Sequence, residues 1–197
     1  MNPRCQLIID ELARHRTQFE TLCRSLSPEE LATPIPNSHW TVYDYIAHLA
    51  TIDGLIAASF GPMVGIEAPP ADPPLPQPFD IDDWNDVAVR SRAGRDIDAL
   101  LSEAAVHRGR MAAAIERMSD DDLDRVIPYG GDRKSLGLEP TPVRFGGLLW
   151  AIAIHDPTHT HDIIRALPER GAAPAVQEWL ASVNDSIVPA GVKEQRI

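Results

Sequence analysis

LLWAIAIHDPTHTHDII, residues 148–164, holds three of the chain's seven histidines in an otherwise apolar run, and its periodicity decides what the rest of the chain must be. Placed on a helix at about 100° per residue, Phe145, Leu148, Leu149, Ile152 and Ile163 share one face. His155 and His159 fall in that same stripe one turn apart, and Asp156 lies within it, while His161 points to the opposite side. An apolar stripe of this kind has to be covered by other elements, so the search moves outward for further helices.

They are present. Cys5, Ile8, Leu12, Phe19, Leu22 and Leu26 recur at helical spacing and predict a helix from about Pro3 to Leu26. Ser27-Pro28-Glu29-Glu30 combines a cap, a first-turn proline and a capping-box acid, so a short helix restarts there. Thr41-Val42-Tyr43-Asp44 opens a second long helix, expected to run to about Phe60. GPMVGIEAPPADPPLPQPFD, residues 61–80, is too proline-dense for helix or central strand and reads as a long crossover over the surface. A third long helix is expected from near Asp82 to about Met118, and Ser119-Asp120-Asp121-Asp122 signals a further short turn. Thr141-Pro142, after a loop rich in glycine and proline, reads as the cap and first position of the fourth helix. A short helix from Pro174 to about Val183 ends the pattern. No segment alternates convincingly as a strand. The expectation is an all-α chain, a four-helix bundle with one long crossover, forming a single domain over residues 1–197.

Composition narrows the function classes. A formal net charge of -11 argues against nucleic acid or an anionic membrane surface as partner. No apolar run approaches the ~20 residues of a membrane span and the first residues lack a signal-peptide layout, so a cytoplasmic protein acting on small molecules is expected. Cys5 and Cys23 lie too far apart along one helix to pair and read as inert core thiols.

Histidines at i and i+4 bring two imidazoles within reach of one ion at ~2.1 Å. Such a pair alone is weak evidence, since satisfied core histidines have the same spacing. His48 supplies a third candidate: it sits on the edge of the second helix's stripe beside Tyr45 and Ile52. Two histidines from one helix and one from another would leave open positions on an ion, the layout of a catalytic rather than a closed structural site. Asp44, one turn before His48, and Asp156 could each orient an imidazole or move protons, although Asp44 fits a helix cap equally well. His15 reads as a hydrogen-bonded polar group inside the bundle or at its end, His39 as a pocket lining residue at most, and His107 as facing water. Trp40 and Tyr45 are pocket walls or simply core.

These residues resemble a known family. NSHWTVYDYIAHLATIDG, residues 37–54, is similar to the W-S/T-V-x-D/E-x-x-x-H-L opening of the DinB-like superfamily, with its DinB/YfiT proteins and thiol-dependent maleylpyruvate isomerase relatives. HDPTH, residues 155–159, resembles that family's H-D-x-x-H, followed by Ile164 and Arg165. SDDDLDR, residues 119–125, ahead of a GxxTPxxxLL-like segment, is also similar. The resemblance spans about residues 5–168; each motif is loose, and their order and distances together are specific.

It implies a four-helix bundle holding a divalent metal, zinc or nickel, on His48, His155 and His159. It further implies chemistry with a low-molecular-weight thiol such as mycothiol or bacillithiol, or hydrolysis of a small electrophile. The expected enzyme is a metal-dependent thiol S-transferase or hydrolase, with a role in stress or detoxification. The alternative is a non-catalytic bundle that binds a metal or a small ligand and can form a homodimer. Pro157 departs from the pattern: it removes an N–H and crowds the Ala153 carbonyl, so a kink is expected between the two histidines. The long proline-rich segment is expected to wall one side of the pocket.

Overall fold

In a computed structural model the chain is described over residues 1–67, 70–75, 79–129, 139 and 141–185. Most of the glycine- and proline-rich loop before Thr141 lies outside these residues, as do parts of the proline-rich crossover.

Capping chemistry sets where the first helices begin. Helix α1 spans Pro3–Arg24, with the Asn2 side chain accepting from the Arg4 N–H. The short α2, Pro28–Leu31, carries the Ser27/Glu30 capping box. Helix α3, Val42–Phe60, opens on a second box in which the Thr41 side chain accepts from the Asp44 N–H and the Asp44 carboxylate from the Thr41 N–H. Just ahead of α3, hydrogen bonds from Val42 N to Thr33 O and Ile35 N to Trp40 O close the loop that presents Trp40.

The expected third helix is two. Helix α4 covers Ile81–Arg90 and α5 covers Ile97–Glu116. Between them Gly94 takes φ +76 and Asp96 caps Ala99, and a left-handed residue beside a strong N-cap ends one helix and starts another. The apolar periodicity continues through the break, which is why the sequence reads as one element. Helix α6, Asp120–Asp124, sits where the cap signal placed it.

Thr141-Pro142 does not start a helix. Val126–Tyr129 (β1) and Thr141–Arg144 (β2) form a two-stranded antiparallel ribbon, with Val126 opposite Arg144 and Pro128 opposite Pro142. Prolines lacking an N–H are tolerated in a ribbon whose outer edges face no further strand. The fourth bundle helix therefore begins at Phe145 and comes in two pieces, α7 (Phe145–Ala153) and α8 (His155–Ala166). Helices α9 (Pro168–Gly171) and α10 (Pro174–Asp185) follow.

The break between α7 and α8 corrects the expected kink. It falls at Ile154 (φ -96, ψ 12), before His155 and not between the two histidines. Pro157 has no N–H for the Ala153 carbonyl and its ring crowds that oxygen, so the strain is released upstream, where the two residues would have been bonded. Downstream the helix is regular, and His155 and His159 keep their one-turn relation within α8.

Helix α3 packs on α5, α1 on α5 and on α7–α8, and α3 on α8, closing a four-helix bundle. Its core is in two parts. One contains Cys5, Leu12, Ile52, Met111, Ile115 and Leu149; the other contains Phe19, Ile46, Leu49, Leu100, Leu101 and Ile163. On α1, α5 and α7–α8 the two parts are separated by buried charge: Arg16, Arg108 and Asp156, joined by Asp53 from α3. The stretch Val42–Val64 is long and apolar enough to cross a membrane by composition, contrary to the expectation that no such run exists, and 67% of its window is buried inside the bundle.

Candidate metal centre

Two helices bring three imidazoles together. The box at Thr41 fixes the phase of α3, so His48 comes one turn after Asp44 and faces α8. His48 is 4% exposed; one nitrogen from each of His48, His155 and His159 lies within 4.8 Å of the others. The ring centroids of His48 are 5.4 Å from His155 and 5.2 Å from His159. His155 Nε2 and His159 Nε2 are 2.9 Å apart, at hydrogen-bonding distance. Tyr45 stands edge-on to His159 at 5.1 Å and Trp40 lies against His48 at 5.3 Å, making aromatic walls. Trp40 is itself held by its Nε1–H on Asp86, which also pairs with His39.

The cluster is electrically neutral near pH 7. Burial holds the His48 imidazole well below its usual value, and the two neighbouring histidines push the same way. His155 is lowered by burial, by His159 and by Arg108 and Arg16. His159 is lowered by burial and partly restored by Asp162. Three neutral nitrogen donors converging beside two aromatic rings fit a borderline divalent cation, zinc or nickel, better than a hard oxygen-seeking one. His48 Nδ1 is buried without a hydrogen-bond partner.

The two carboxylates expected nearby are engaged elsewhere. Asp44 Oδ2 accepts from both the Thr41 N–H and its Oγ1, as a helix cap. Asp156 is fully buried and turns to arginines: Oδ1 accepts from Arg16 Nη2 at 2.9 Å and Oδ2 from Arg108 Nη2 at 3.2 Å. Asp53 Oδ2 accepts from Arg108 Nε at 2.5 Å and Arg16 Nη2 at 3.3 Å. The acid that does reach an imidazole is Asp162, whose Oδ2 lies 3.3 Å from His159 Nδ1. Sequence reasoning missed it, although its i+3 spacing from His159 was available.

Other expectations settle case by case. His15 is buried and accepts from Trp179 Nε1 at 2.9 Å. His161 is exposed, on the far side from the cluster. His39 is 72% exposed and stays outside the imidazole group. His107 does not face water: its side chain is 17% exposed, near Glu103, with its ring so close to Gly54 that a Cβ there would meet Nδ1 at 2.6 Å. The described part of the proline-rich segment walls a different place. Pro70, Ala71 and Asp72 line a small cavity with Thr51 and His107, and none of the three histidines borders it.

This fold and this site define a class: a helical bundle presenting three histidines between its second and fourth helices. Residues 11–163 match the model of the DinB superfamily, and the chain belongs to that superfamily. No curated protein matches it by sequence. Among solved structures it is similar to YfiT from Bacillus subtilis, described as a probable metal-dependent hydrolase with an unusual four-helix bundle topology. The TM-score is 0.58 at 19% identity over 87% of this chain and 88% of that one. It is also similar to the mycothiol-dependent maleylpyruvate isomerase, with a TM-score of 0.57 and 14% identity over 83% of this chain and 63% of that chain. The chain thus spans less than two thirds of the isomerase.

Proposed function

We propose that this protein is a divalent-metal-dependent enzyme acting on a small electrophile, with water or a low-molecular-weight thiol such as mycothiol or bacillithiol as nucleophile. The observation that carries the reading is the convergence of His48, His155 and His159, three neutral imidazoles within 4.8 Å, with no acid joining them among the described residues to complete a closed site. The similarity to a probable metal-dependent hydrolase and to a mycothiol-dependent isomerase supports the same chemistry.

His48, His155 and His159 would hold the ion, zinc or nickel, which when bound supplies a Lewis acid that lowers the pKa of a coordinated water or thiol. The protein's own contributions follow from the site. Asp162 accepts the His159 Nδ1–H and keeps Nε2 directed to the other rings. Trp40 and Tyr45 exclude water from one side and offer flat apolar surface to a substrate. Asp156, tied to two arginines, is a positioning residue that holds the start of α8 in place beside His155.

The test compares metal-loaded and stripped protein. Freshly purified protein is expected to carry about one divalent ion per chain. Turnover of a model electrophile, with and without added thiol, should follow metal occupancy. Protein that holds no ion after growth with zinc and nickel, and binds none on titration, overturns the reading.

A further inference from the structure

The imidazole cluster leaves one detail unexplained. His48 Nδ1 is enclosed and has no hydrogen-bond partner, and so is Asn85 Oδ1 on α4. An imidazole N–H and an amide carbonyl are complementary, and enclosed polar groups of this kind are nearly always paired in folded proteins. We infer that Asn85 is the positioning residue of His48: its Oδ1 accepts the His48 Nδ1–H, which leaves His48 Nε2 bare toward His155 and His159. The inference rests on the reading of these rings as a metal site.

The local structure supports the pairing. Helix α4 packs on α3, and it is anchored on either side of Asn85. Trp84 Nε1 donates to the Pro73 carbonyl at 2.8 Å, and Asp86 holds the Trp40 indole that lies against His48. Residues 84–86 thus fix the crossover, the nitrogen and the wall of the same histidine from consecutive positions. The Asn85 side chain lies within interacting range of the His48 ring, with no hydrogen bond closed between them. The cluster repeats the device elsewhere: His159 turns its Nδ1 to Asp162. Which nitrogen of a histidine carries the proton is set by the partner of the other one. Without an acceptor at Nδ1 the proton is free to sit on Nε2, in the centre of the site, where an ion has to displace it.

The experiment uses the full chain and two readouts. Long-range proton–nitrogen NMR correlations on histidine-labelled, metal-free protein report the His48 tautomer, expected as Nδ1–H. Zinc affinity by competition with a chromophoric chelator is expected to weaken about 10- to 100-fold in Asn85→Leu, which has no acceptor. Asn85→Asp keeps an acceptor and should bind zinc at least as well as the parent with the same tautomer, and it stands in if Asn85→Leu fails to fold. An Nε2–H tautomer in the parent overturns the inference, as does parental zinc affinity in Asn85→Leu or equal weakening in both variants. A parent that binds no zinc sinks the proposed function instead, and the metal-free tautomer still decides the role of Asn85.

Discussion

His155 and Asp156 are adjacent on α8, yet they belong to two regions built on opposite principles. Asp156 joins Arg16, Asp53 and Arg108, two acids and two bases from four helices, each carboxylate shared between both guanidiniums. Their charges cancel, and backbone carbonyls take further donors: Arg16 Nη2 reaches Leu49 O and Arg108 Nη1 reaches Leu12 O. His155 joins His48 and His159, three donors of one kind, with no acid joining the group among the described residues. The first group balances its charges without a ligand, although Arg16 Nε and Nη1 are buried without a hydrogen-bond partner. The second is complete only with something that all three nitrogens can donate to. The charged residues and His48 are buried, and His155 and His159 are half-buried, so burial of a polar group does not by itself mark a functional site; what matters is whether groups of opposite character lie beside it.

The largest expected effect is on the charged group. Asp156→Asn removes one of its two negative charges and leaves two buried arginines sharing a single carboxylate. Breaking a buried pair from one side costs about 3–5 kcal/mol, and urea denaturation of metal-free protein should show a loss of that order. A loss below about 1 kcal/mol would mean that the network is not the self-contained unit described.

The histidine group should respond to metal instead. An ion bound to the native state alone at 100 times its dissociation constant stabilises by about 2.7 kcal/mol. Zinc should therefore raise the melting temperature of the parent protein, a chelator should reverse this, and His159→Ala should remove most of the response. Equal responses in parent and variant would place the ion elsewhere. Asp156→Asn, once corrected for its lower baseline, should still respond to zinc, which keeps the two regions apart.

Acid sharpens the contrast. His48 and His155 are held below their ordinary pKa, so near pH 6 the unfolded chain binds protons that the folded chain does not. Stability from this source is fully present above about pH 6.5 and falls as pH drops toward the depressed values, by up to about 1.4 kcal/mol per unit for each histidine. Denaturation of metal-free protein between pH 7 and 5 should show the slope, and the double change His155→Leu and His159→Leu should reduce it to the part that belongs to His48. A parent profile without a slope would show that these rings are protonated in the fold.

The smallest effect belongs to His161, two residues from His159 but exposed. His161→Ala should change stability by no more than about 0.5 kcal/mol and leave zinc affinity as it was. Loss of metal in this variant would put the helical phase of α8 in error.

Much of this was legible before any coordinates, for local reasons. Caps at Ser27, Thr41 and Ser119 are made by residues three positions apart, so the starts of α2, α3 and α6 follow from sequence alone. The one-turn spacing of His155 and His159 is likewise a local fact. The split at residues 91–96 was harder, because apolar periodicity carries across a loop as readily as along a helix. The ribbon at Thr141–Arg144 was hidden because its partner strand lies before a long loop, and pairing across such a loop leaves no short-range signal. The charged layer was missed because Arg16, Asp53 and Arg108 each look like an ordinary surface charge until their partners, as many as 140 residues away, are known.

By itself, then, the sequence determined an all-helical bundle, the boundaries that capping controls, and three histidines on faces that two helices could turn toward each other. Those are properties of periods and neighbours, which a chain carries at every point. Tertiary structure alone decided which acids meet which cations, that Asp44 and Asp156 are turned away from the imidazoles while Asp162 faces one, and that Trp40 lies against His48. The physical reason is that a side chain's charge and tautomer are set by whatever lies within a few ångströms, and in a bundle those atoms come from helices far apart in the chain.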